Sequence, residues 1–219
     1  MTTERMTDHT TRRDGPELVA ALRAALGRDD ATGTAPFERL VGTLADRAVA
    51  DGSLDVAVRT VGSPFGDLLV AVTSLGVVRV AFAREDHDAV LGDLARRVSP
   101  RILVTPRRTD EVARELDEYF AGRRRSFDLA VDLRLAGGFR RRVVERLGSI
   151  PYGATETYGS LAAALDNPRA VRAVGSACAH NPVPVILPCH RVVRADGTIG
   201  AYLGGTDVKE ALLRLESAA

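Results

Sequence analysis

The sequence predicts an α+β fold in two parts: a small antiparallel sheet with helices, followed by a mostly helical domain. Three valine-rich segments, at 54–61, 67–73 and 77–83, are separated by short turns containing Gly and Ser, which is typical of antiparallel strands. Later segments space their apolar residues three and four apart, as amphipathic helices do. The pair Gly137-Gly138 marks a change of composition between the two parts.

These patterns divide the chain into an extension and two domains. Residues 1–53 form the N-terminal extension, in which short helices are predicted at 16–26 and 37–50. The α+β domain covers residues 54–136, and the C-terminal domain covers residues 137–219. The extension contains no cluster of chemically reactive side chains, so we expect it to have a packing or regulatory role.

Four longer helices are predicted from their apolar spacing. Two belong to the α+β domain, at 86–98 and 110–120, and we expect both on one side of the sheet. A strand-like alternation at 127–135 leads into the C-terminal domain. That domain begins with a helix at 139–147 and ends with one at 206–216.

Two short helices lie between these, at 161–165 and 168–179, with Ser160 as the cap of the first. Their separation suits a helix-turn-helix in which the second helix is the recognition element for DNA. Small side chains on that helix would permit a close approach to a DNA groove, but they would equally suit a buried helix. These small residues are Ala170, Ala173, Gly175, Ser176 and Ala177.

Composition indicates an ordinary globular protein, with 45% hydrophobic and 27% charged residues in a chain of 219. No apolar run approaches the roughly 18 residues of a membrane span, and the N-terminus does not resemble a signal peptide, so we expect a cytoplasmic location. The two cysteines, Cys178 and Cys189, are too few for a disulfide scaffold and are expected to be free thiols. From Phe139 onward the net charge is +3, a weak indication of an anionic partner.

The stretch 181–193, NPVPVILPCHRVV, is the strongest candidate for chemistry. Its prolines stiffen the backbone, and we expect an extended strand that ends at Cys189 and presents the thiol as a nucleophile. His190 follows directly, but neighbours on a strand point to opposite faces, so a water or a bend would have to connect them. A carboxylate that orients the imidazole could come from Glu145, Glu156, Glu210 or Glu216.

Three other interpretations of Cys189 remain open from the residues alone. A cysteine in an apolar strand commonly serves only in packing. A zinc site could combine Cys178, His180, Cys189 and His190, although their spacing fits no common zinc finger. A helix-turn-helix regulator could use Cys189 as a redox sensor, although the second helix carries few side chains suited to reading bases.

The sequence PCHRV at 188–192, preceded by NPVP at 181–184, resembles the active-site signature of the O6-alkylguanine-DNA alkyltransferases, the methylated-DNA–protein-cysteine methyltransferases. The resemblance extends over about 139–216 and includes the upstream run RAVRAVG and the downstream run YLGG. Residues 54–136 resemble the N-terminal domain of this family more loosely. Residues 1–53 lie outside the resemblance.

The resemblance implies DNA repair by direct reversal of damage. Such a protein binds double-stranded DNA, flips an O6-alkylguanine or an O4-alkylthymine out of the helix, and moves the alkyl group irreversibly to Cys189. His190 would take the thiol proton through a water, and Glu216 would orient the imidazole. Tyr158 would stabilise or protonate the departing base. We expect no cofactor, no membrane association and no obligate protein partner. We also expect no metal, because the N-terminal ligands of the family's occasional structural zinc are not found in this sequence.

The resemblance also assigns the DNA-binding and pocket residues. Arg172 would fill the gap left by the flipped nucleotide, and Asn181 would join the recognition helix to the active-site strand. The helix would enter the minor groove, where Ala173 and Gly175 permit close approach. The pocket would be formed by Pro184, Val192, Tyr202, Leu203 and Gly204.

The sequence departs from the family pattern at several points. Leu203 stands where some relatives carry a serine, and Ala179 where some carry a basic residue. The extension has no cysteine, which disfavours a transcriptional sensor role. The main alternative is a non-catalytic alkyltransferase-like protein that only binds lesions. Those relatives replace the cysteine, commonly with tryptophan, whereas this chain keeps Cys189 and has no tryptophan.

Overall fold

The computed structural model describes residues 42–43, 47–48 and 50–217. The helix predicted at 16–26 lies outside these residues, and so does most of the one predicted at 37–50, whose few described residues are helical. The predicted α+β architecture with a sheet domain followed by a helical domain is confirmed.

The sheet contains the three predicted strands in consecutive antiparallel pairs. They are β1 (Val56–Val61), β2 (Leu68–Thr73) and β3 (Gly76–Ala81). A fourth strand, β4 (Ile102–Val104), was not predicted, since three residues are too few to display an alternation. It pairs with β1 in parallel, so the order is β3-β2-β1-β4 and the sheet is mixed rather than purely antiparallel.

Helices cover both faces of this sheet. Every residue of β2 is buried, as in strands that are covered on both sides. Helix α1 (His87–Arg97) packs through Leu94 on one face, and α2 (Asp110–Phe120) packs through Tyr119 on the other. The expectation that both helices share one side is therefore wrong, because the strands are apolar on both faces.

The segment 127–135, which alternates like a strand in the sequence, forms no strand in the structure. Its residue Val131 makes a single isolated bridge to Val77. The segment ends in a 3-10 turn, Leu133–Leu135, which Asp132 caps by accepting from the Arg134 N–H. The alternation there reflects side chains that pack alternately onto the neighbouring core, not sheet pairing.

The C-terminal domain contains four helices within the part of the chain that is described: α3 (Gly138–Leu147), α4 (Tyr158–Ala164), α5 (Val171–Ala179) and α6 (Thr206–Ser217). Helix α5 packs on both α3 and α4. None of the described helices is long and apolar enough to cross a membrane.

The two short helices begin at different residues from those predicted. Thr157, and not Ser160, caps α4: its hydroxyl oxygen accepts from the Ser160 N–H at 3.0 Å, so the helix starts three residues early. Helix α5 begins only at Val171, because Pro168 lies in the turn before it and not in its first turn.

The predicted active-site strand is instead a buried loop of turns over residues 181–188. Its three prolines lack the N–H groups that a strand ladder needs. The loop ends in a 3-10 turn, Cys189–Arg191, followed by β6 (Val192–Val193), which pairs in parallel with β5 (Glu156–Thr157).

This loop is also where the two domains meet. The Val80 N–H of the edge strand β3 donates to the Pro182 carbonyl at 2.9 Å. Val183 and Val185 are fully buried in the same core as Val70 of β2. The active-site loop is therefore docked directly on the N-terminal sheet.

The start of β3 generates a prediction about stability. Gly76 has φ +127, and a Cβ there would lie 2.2 Å from the Ala130 carbonyl oxygen. Because the backbone would have to move and the conformation would be strained, Gly76→Ala should lower the free energy of unfolding by about 2–4 kcal/mol. Urea denaturation measures this change.

Gly62→Ala is the matched control, since Gly62 has an ordinary φ and nothing within 4 Å of an added Cβ. It should change stability by less than about 0.5 kcal/mol. Similar losses in both variants would contradict the argument.

Candidate active site

The Cys189 thiol lies inside the C-terminal domain with 1% of its surface exposed. It belongs to an apolar cluster that includes Val192 of β6 and Cys178 of α5. The half-buried rings of Tyr158 and Tyr202 pack against the same cluster. Four of the residues predicted for the site are thus gathered around one core.

Burial raises the pKa of Cys189 to about 11. The Asn181 side chain and the charge of Lys209 act in the opposite direction but only reduce this effect. At neutral pH the group is therefore a protonated thiol, which is a weak nucleophile until a base removes its proton.

The base that the sequence suggested, His190, is fully buried and contacts Glu216. The distance from His190 Nε2 to Glu216 Oε1 is 2.9 Å, and 1% of the Glu216 side chain is exposed. A carboxylate only accepts hydrogen bonds, so Nε2 carries the ring hydrogen and Nδ1 presents a lone pair. Among the described residues, Nδ1 has no hydrogen-bond partner.

The electrostatics keep this imidazole neutral. Burial lowers the pKa of His190 below its ordinary value, although the hydrogen bond to Glu216 opposes the effect. A neutral imidazole with a free Nδ1 lone pair is able to accept a proton at neutral pH. No direct hydrogen bond joins Cys189 and His190 within the described part of the chain.

Glu216 is the carboxylate that meets the imidazole, and the other three candidates do not. Glu145 pairs with an arginine of its own helix, Glu156 pairs with Arg146, and Glu210 faces Arg214 one turn along α6. Sequence spacing could not choose among the four glutamates, because the carboxylate that meets His190 is determined by how α6 packs on the 3-10 turn Cys189–Arg191.

Glu216 accepts hydrogen bonds from several segments. Arg191 binds it in a bidentate manner, with Nε 2.9 Å from Oε2 and Nη2 2.8 Å from Oε1. The Tyr119 hydroxyl donates to Oε1 at 2.6 Å, and the Gly153 N–H donates to Oε2 at 3.2 Å. Burial alone would raise the pKa of Glu216, but the bonds from His190, Arg191 and Tyr119 outweigh it and hold the pKa at about 2.

Sequence reasoning missed the roles of Tyr119 and Arg191. Tyr119 lies in the other domain, 97 residues before Glu216, so no local motif connects them. Arg191 is part of the signature, but its spacing gave no sign that it would turn inward and also donate from Nη1 to the Ile150 carbonyl at 2.6 Å.

Lys209 is a further buried residue of the site without a predicted role. Its ammonium donates to the Val192 carbonyl and lies 5.9 Å from the centroid of the Tyr158 ring. Burial lowers the pKa of Lys209. The available signal was the position of Lys209 on the amphipathic α6, where it shares the buried side of the helix with Val208 and Leu212.

Tyr158 stands at the first turn of α4, beside the thiol. Burial raises its pKa to about 12, so its hydroxyl remains a hydrogen-bond donor at neutral pH. The backbone at Gly200 packs closely on this hydroxyl: an added Cβ would lie 2.6 Å from the phenol oxygen. The glycine-rich segment, residues 197–205, therefore covers one side of Tyr158.

The remaining pocket residues extend this wall towards the N-terminal domain. The Tyr202 ring lies 5.5 Å from the Phe82 ring and 6.3 Å from the His190 ring, measured between centroids. An added Cβ on Gly204 would lie 3.0 Å from Phe82. Leu203 is half-buried, and Pro184 is buried in the active-site loop.

Helix α5 presents one face to solvent and the other to the thiol core. Arg172 and Ala173 are exposed and Gly175 is half-buried, whereas Val174 and Cys178 pack inward. The exposed face is the one that could meet another molecule.

Asn181, predicted to join the recognition helix to the active-site strand, is fully buried and braces the loop that follows α5. Its Nδ2 donates to the Leu187 carbonyl at 2.7 Å, and its Oδ1 accepts from the Val183 N–H at 3.0 Å. Between them Val185 has φ +72, which is strained for a β-branched residue by about 1–3 kcal/mol. Asn181 therefore holds the strained loop that carries Cys189.

The zinc interpretation finds no support in the geometry. Among the residues that are described, no group of three or more His, Cys, Asp or Glu side chains could hold a metal ion. His180 is exposed at the end of α5, while Cys178 is buried on its inner face.

The fold and the site define a two-domain protein that holds a buried thiol next to a buried imidazole–carboxylate pair. Residues 138–218 match the DNA-binding domain of 6-O-methylguanine DNA methyltransferase, and residues 56–133 match its ribonuclease-like domain. The chain belongs to the O6-methylguanine DNA methyltransferase family, as the sequence resemblance predicted.

Individual relatives agree with this assignment. The methylated-DNA–protein-cysteine methyltransferase of Methanosarcina barkeri is 37% identical over 154 residues, which cover 70% of this chain and 92% of the relative. The constitutive enzyme of the same name from Bacillus subtilis is 32% identical over 161 residues, with 72% and 93% covered. The crystal structure of Mycobacterium tuberculosis OGT in complex with DNA has 36% identity and a TM-score of 0.65, covering 74% of this chain and 93% of that one.

The Glu216 carboxylate generates a prediction about acid stability. Its pKa of about 2 lies below the ordinary 4.5, so the ionised form stabilises the fold at pH values above about 4.5. This stabilisation, about 3 kcal/mol at about 1.4 kcal/mol for each pH unit, is lost as the pH falls towards 2. The free energy of unfolding, measured by urea denaturation from pH 5 to 2, should decline less steeply in Glu216→Gln than in the natural protein.

Glu210→Gln is the control for this measurement, because Glu210 lies on the same helix with half of its side chain exposed. It should keep the natural slope. A Glu216→Gln slope equal to the natural one would show that the carboxylate network does not contribute to acid stability.

Proposed function

We propose that the protein repairs DNA by moving an alkyl group from O6 of guanine in double-stranded DNA to Sγ of Cys189, once per protein molecule. The observation that carries the proposal is the buried thiol beside a neutral imidazole whose Nδ1 is free and whose Nε2 is held by Glu216. O4-alkylthymine presents the same alkyl-oxygen bond and is a second substrate of this chemistry.

The reaction begins with loss of the thiol proton. The Cys189 proton passes through a water to Nδ1 of His190, and the imidazolium that forms is stabilised by Glu216. The thiolate attacks the alkyl carbon, so that an S–C bond forms while the C–O bond breaks and its electron pair moves to O6 of the base. The Tyr158 hydroxyl donates to the base and stabilises the negative charge.

The product explains why one molecule repairs one lesion. A thioether has no acidic proton and is a poor leaving group, so neither His190 nor solvent restores the thiol under ordinary conditions. The protein is thus a reagent that is consumed by its reaction.

The substrate must leave the DNA stack to reach a thiol that is 1% exposed. We propose that α4 and α5 act as a helix-turn-helix whose outward face enters the minor groove, where Ala173 and Gly175 leave room. Arg172 then occupies the gap left by the flipped nucleotide. This role for Arg172 is supported by two observations: the residue is exposed, and it forms no ion pair with any described residue.

Alkyl transfer to Cys189 is tested by mass spectrometry. After incubation with duplex DNA containing O6-methylguanine, the protein should gain the mass of one methylene group, located on the peptide that contains Cys189. Cys189→Ser should gain nothing, because a serine hydroxyl is far less acidic than a thiol and its oxygen attacks a saturated alkyl carbon much more weakly than sulfur does.

Cys178→Ser is the matched control, since Cys178 is a second buried thiol of the same core, and it should react like the natural protein. Tight binding to the lesion without any gain in mass would instead identify a non-catalytic lesion-binding protein.

The role of Arg172 is tested by comparing two substrates. Arg172→Ala should slow repair of duplex DNA by about tenfold or more, because the flipped state loses a side chain that replaces stacking. Its reaction with free O6-benzylguanine, which needs no flipping, should stay within about twofold of the natural rate. Single-turnover kinetics with both substrates measures the two effects.

Arg96→Ala is the control for removing one positive charge, since Arg96 is exposed on α1 of the other domain. It should leave both rates unchanged. Equal losses in the two assays for Arg172→Ala would remove Arg172 from the flipping role.

A further inference from the structure

Tyr119 brings a hydroxyl from the N-terminal domain into the imidazole–carboxylate pair. It lies near the C-terminal end of α2 with none of its surface exposed. Its hydroxyl donates to Glu216 Oε1 at 2.6 Å and lies 3.5 Å from His190 Nε2. Oε1 is the same oxygen that accepts from His190 Nε2 at 2.9 Å.

We propose that Tyr119 is a positioning residue for alkyl transfer: by donating to the carboxylate oxygen that His190 uses, it fixes the imidazole and limits its basicity. This inference rests on the proposed function, since His190 is taken as the base for Cys189. It gives the N-terminal domain a role in the reaction, which Tyr119 exerts through Glu216 and His190.

The hydroxyl of Tyr119 is a permanent donor. Burial, followed by the charge of Glu216, raises the pKa of Tyr119 far above its ordinary value, so the phenol is protonated at neutral pH. Two donors on one oxygen divide its negative charge. The Tyr119 bond therefore weakens the attraction between Glu216 and an imidazolium, which keeps His190 neutral and its Nδ1 able to accept.

The packing of the ring makes this contact a fixed one. The Tyr119 ring lies 5.2 Å from Phe127, 5.5 Å from Phe120 and 6.2 Å from Tyr152, measured between centroids. A phenylalanine would fill the same space. The hydroxyl can consequently be removed with little change to the core, and its effect can be separated from that of the ring.

Other charged and titratable groups also act on the pair, and a single substitution leaves them in place. Arg191 contacts both oxygens of Glu216, and its charge opposes protonation of His190. Among the residues that the structure describes, the groups around His190 and Glu216 from the elements packed on them are Tyr119 of α2, Tyr152 of the turn after α3, Cys189 and Arg191 of the 3-10 turn Cys189–Arg191, Tyr202 of the glycine-rich segment and Lys209 of α6.

Tyr119→Phe tests the inference through two measurements. In a titration followed by nitrogen NMR of the labelled imidazole, the His190 midpoint should rise by about one pH unit, because Glu216 then attracts the imidazolium more strongly. The acid limb of the pH–rate profile for alkyl transfer from free O6-benzylguanine should move upward by the same amount. The plateau rate should fall by about five- to tenfold as the imidazole loses its fixed orientation.

Thr109→Val is the matched control. It removes a buried hydroxyl from the N-cap of the same helix, where that hydroxyl donates to the Thr105 carbonyl at 2.9 Å, without touching the carboxylate. Its titration and its pH–rate profile should match those of the natural protein, and thermal denaturation of both variants accounts for any general loss of stability.

Site-specific replacement of Tyr119 by 3-fluorotyrosine gives a test that does not depend on the folding of Tyr119→Phe. The fluorinated ring keeps the packing but donates a stronger hydrogen bond, so the His190 midpoint should fall instead of rise. Titrations that coincide with the natural one in both variants would overturn the inference. Because NMR follows His190 without any alkyl transfer, a natural protein that fails to accept an alkyl group would overturn only the proposed function.

Discussion

The structure depends on the burial of one negative charge, the carboxylate of Glu216. Transfer of an ion into a protein interior costs several kcal/mol unless hydrogen bonds and opposite charge compensate it. Here the compensating donors come from separate parts of the chain: Tyr119 of α2, Gly153 of the turn after α3, and His190 and Arg191 of the 3-10 turn. The ionised carboxylate can be buried only when these segments have assembled around α6.

The same contacts determine both the position and the protonation state of the His190 imidazole. A carboxylate that faced His190 alone would bind an imidazolium strongly and would favour the protonated ring. Because Arg191 neutralises Glu216, the pair instead favours a neutral ring whose hydrogen is on Nε2. Burial raises the pKa of Cys189 to about 11, so in the proposed mechanism the thiol keeps its proton until the imidazole accepts it. A thiol buried in this way is shielded from unselective alkylation.

Much of the fold could be predicted because its signals are local. The valine-rich strands, α1 and α2 are encoded by residue spacing within single segments. The parallel strand β4 is three residues long, and its pairing with β1 joins segments about 45 residues apart, so no local pattern contains it. The placement of α1 and α2 on opposite faces likewise depends on the burial of both sides of β2.

The candidate site divides in the same way. Cys189 and His190 are neighbours in a recognisable signature, and Glu216 follows from the family resemblance. The prediction of an active-site strand was wrong for two reasons. Prolines favour an extended backbone but also remove the N–H groups that a strand ladder needs. Val185 in addition adopts a positive φ, which is unfavourable for a β-branched residue and could not be foreseen from the sequence. The role of Tyr119 could not be predicted from the sequence, because it depends on a contact between α2 and α6.

The docking of residues 181–188 on β3 has a consequence for how the molecule holds together. Val183 and Val185 complete a core whose other half is the N-terminal sheet, and the Val80 N–H is paired by Pro182. Separation of the two domains would expose apolar surface on both and would remove the hydrogen bond that the Tyr119 hydroxyl donates to Glu216. The two domains are therefore expected to unfold in one cooperative transition. A hybrid of N- and C-terminal halves from different relatives would have to match this contact surface before it could preserve the active site.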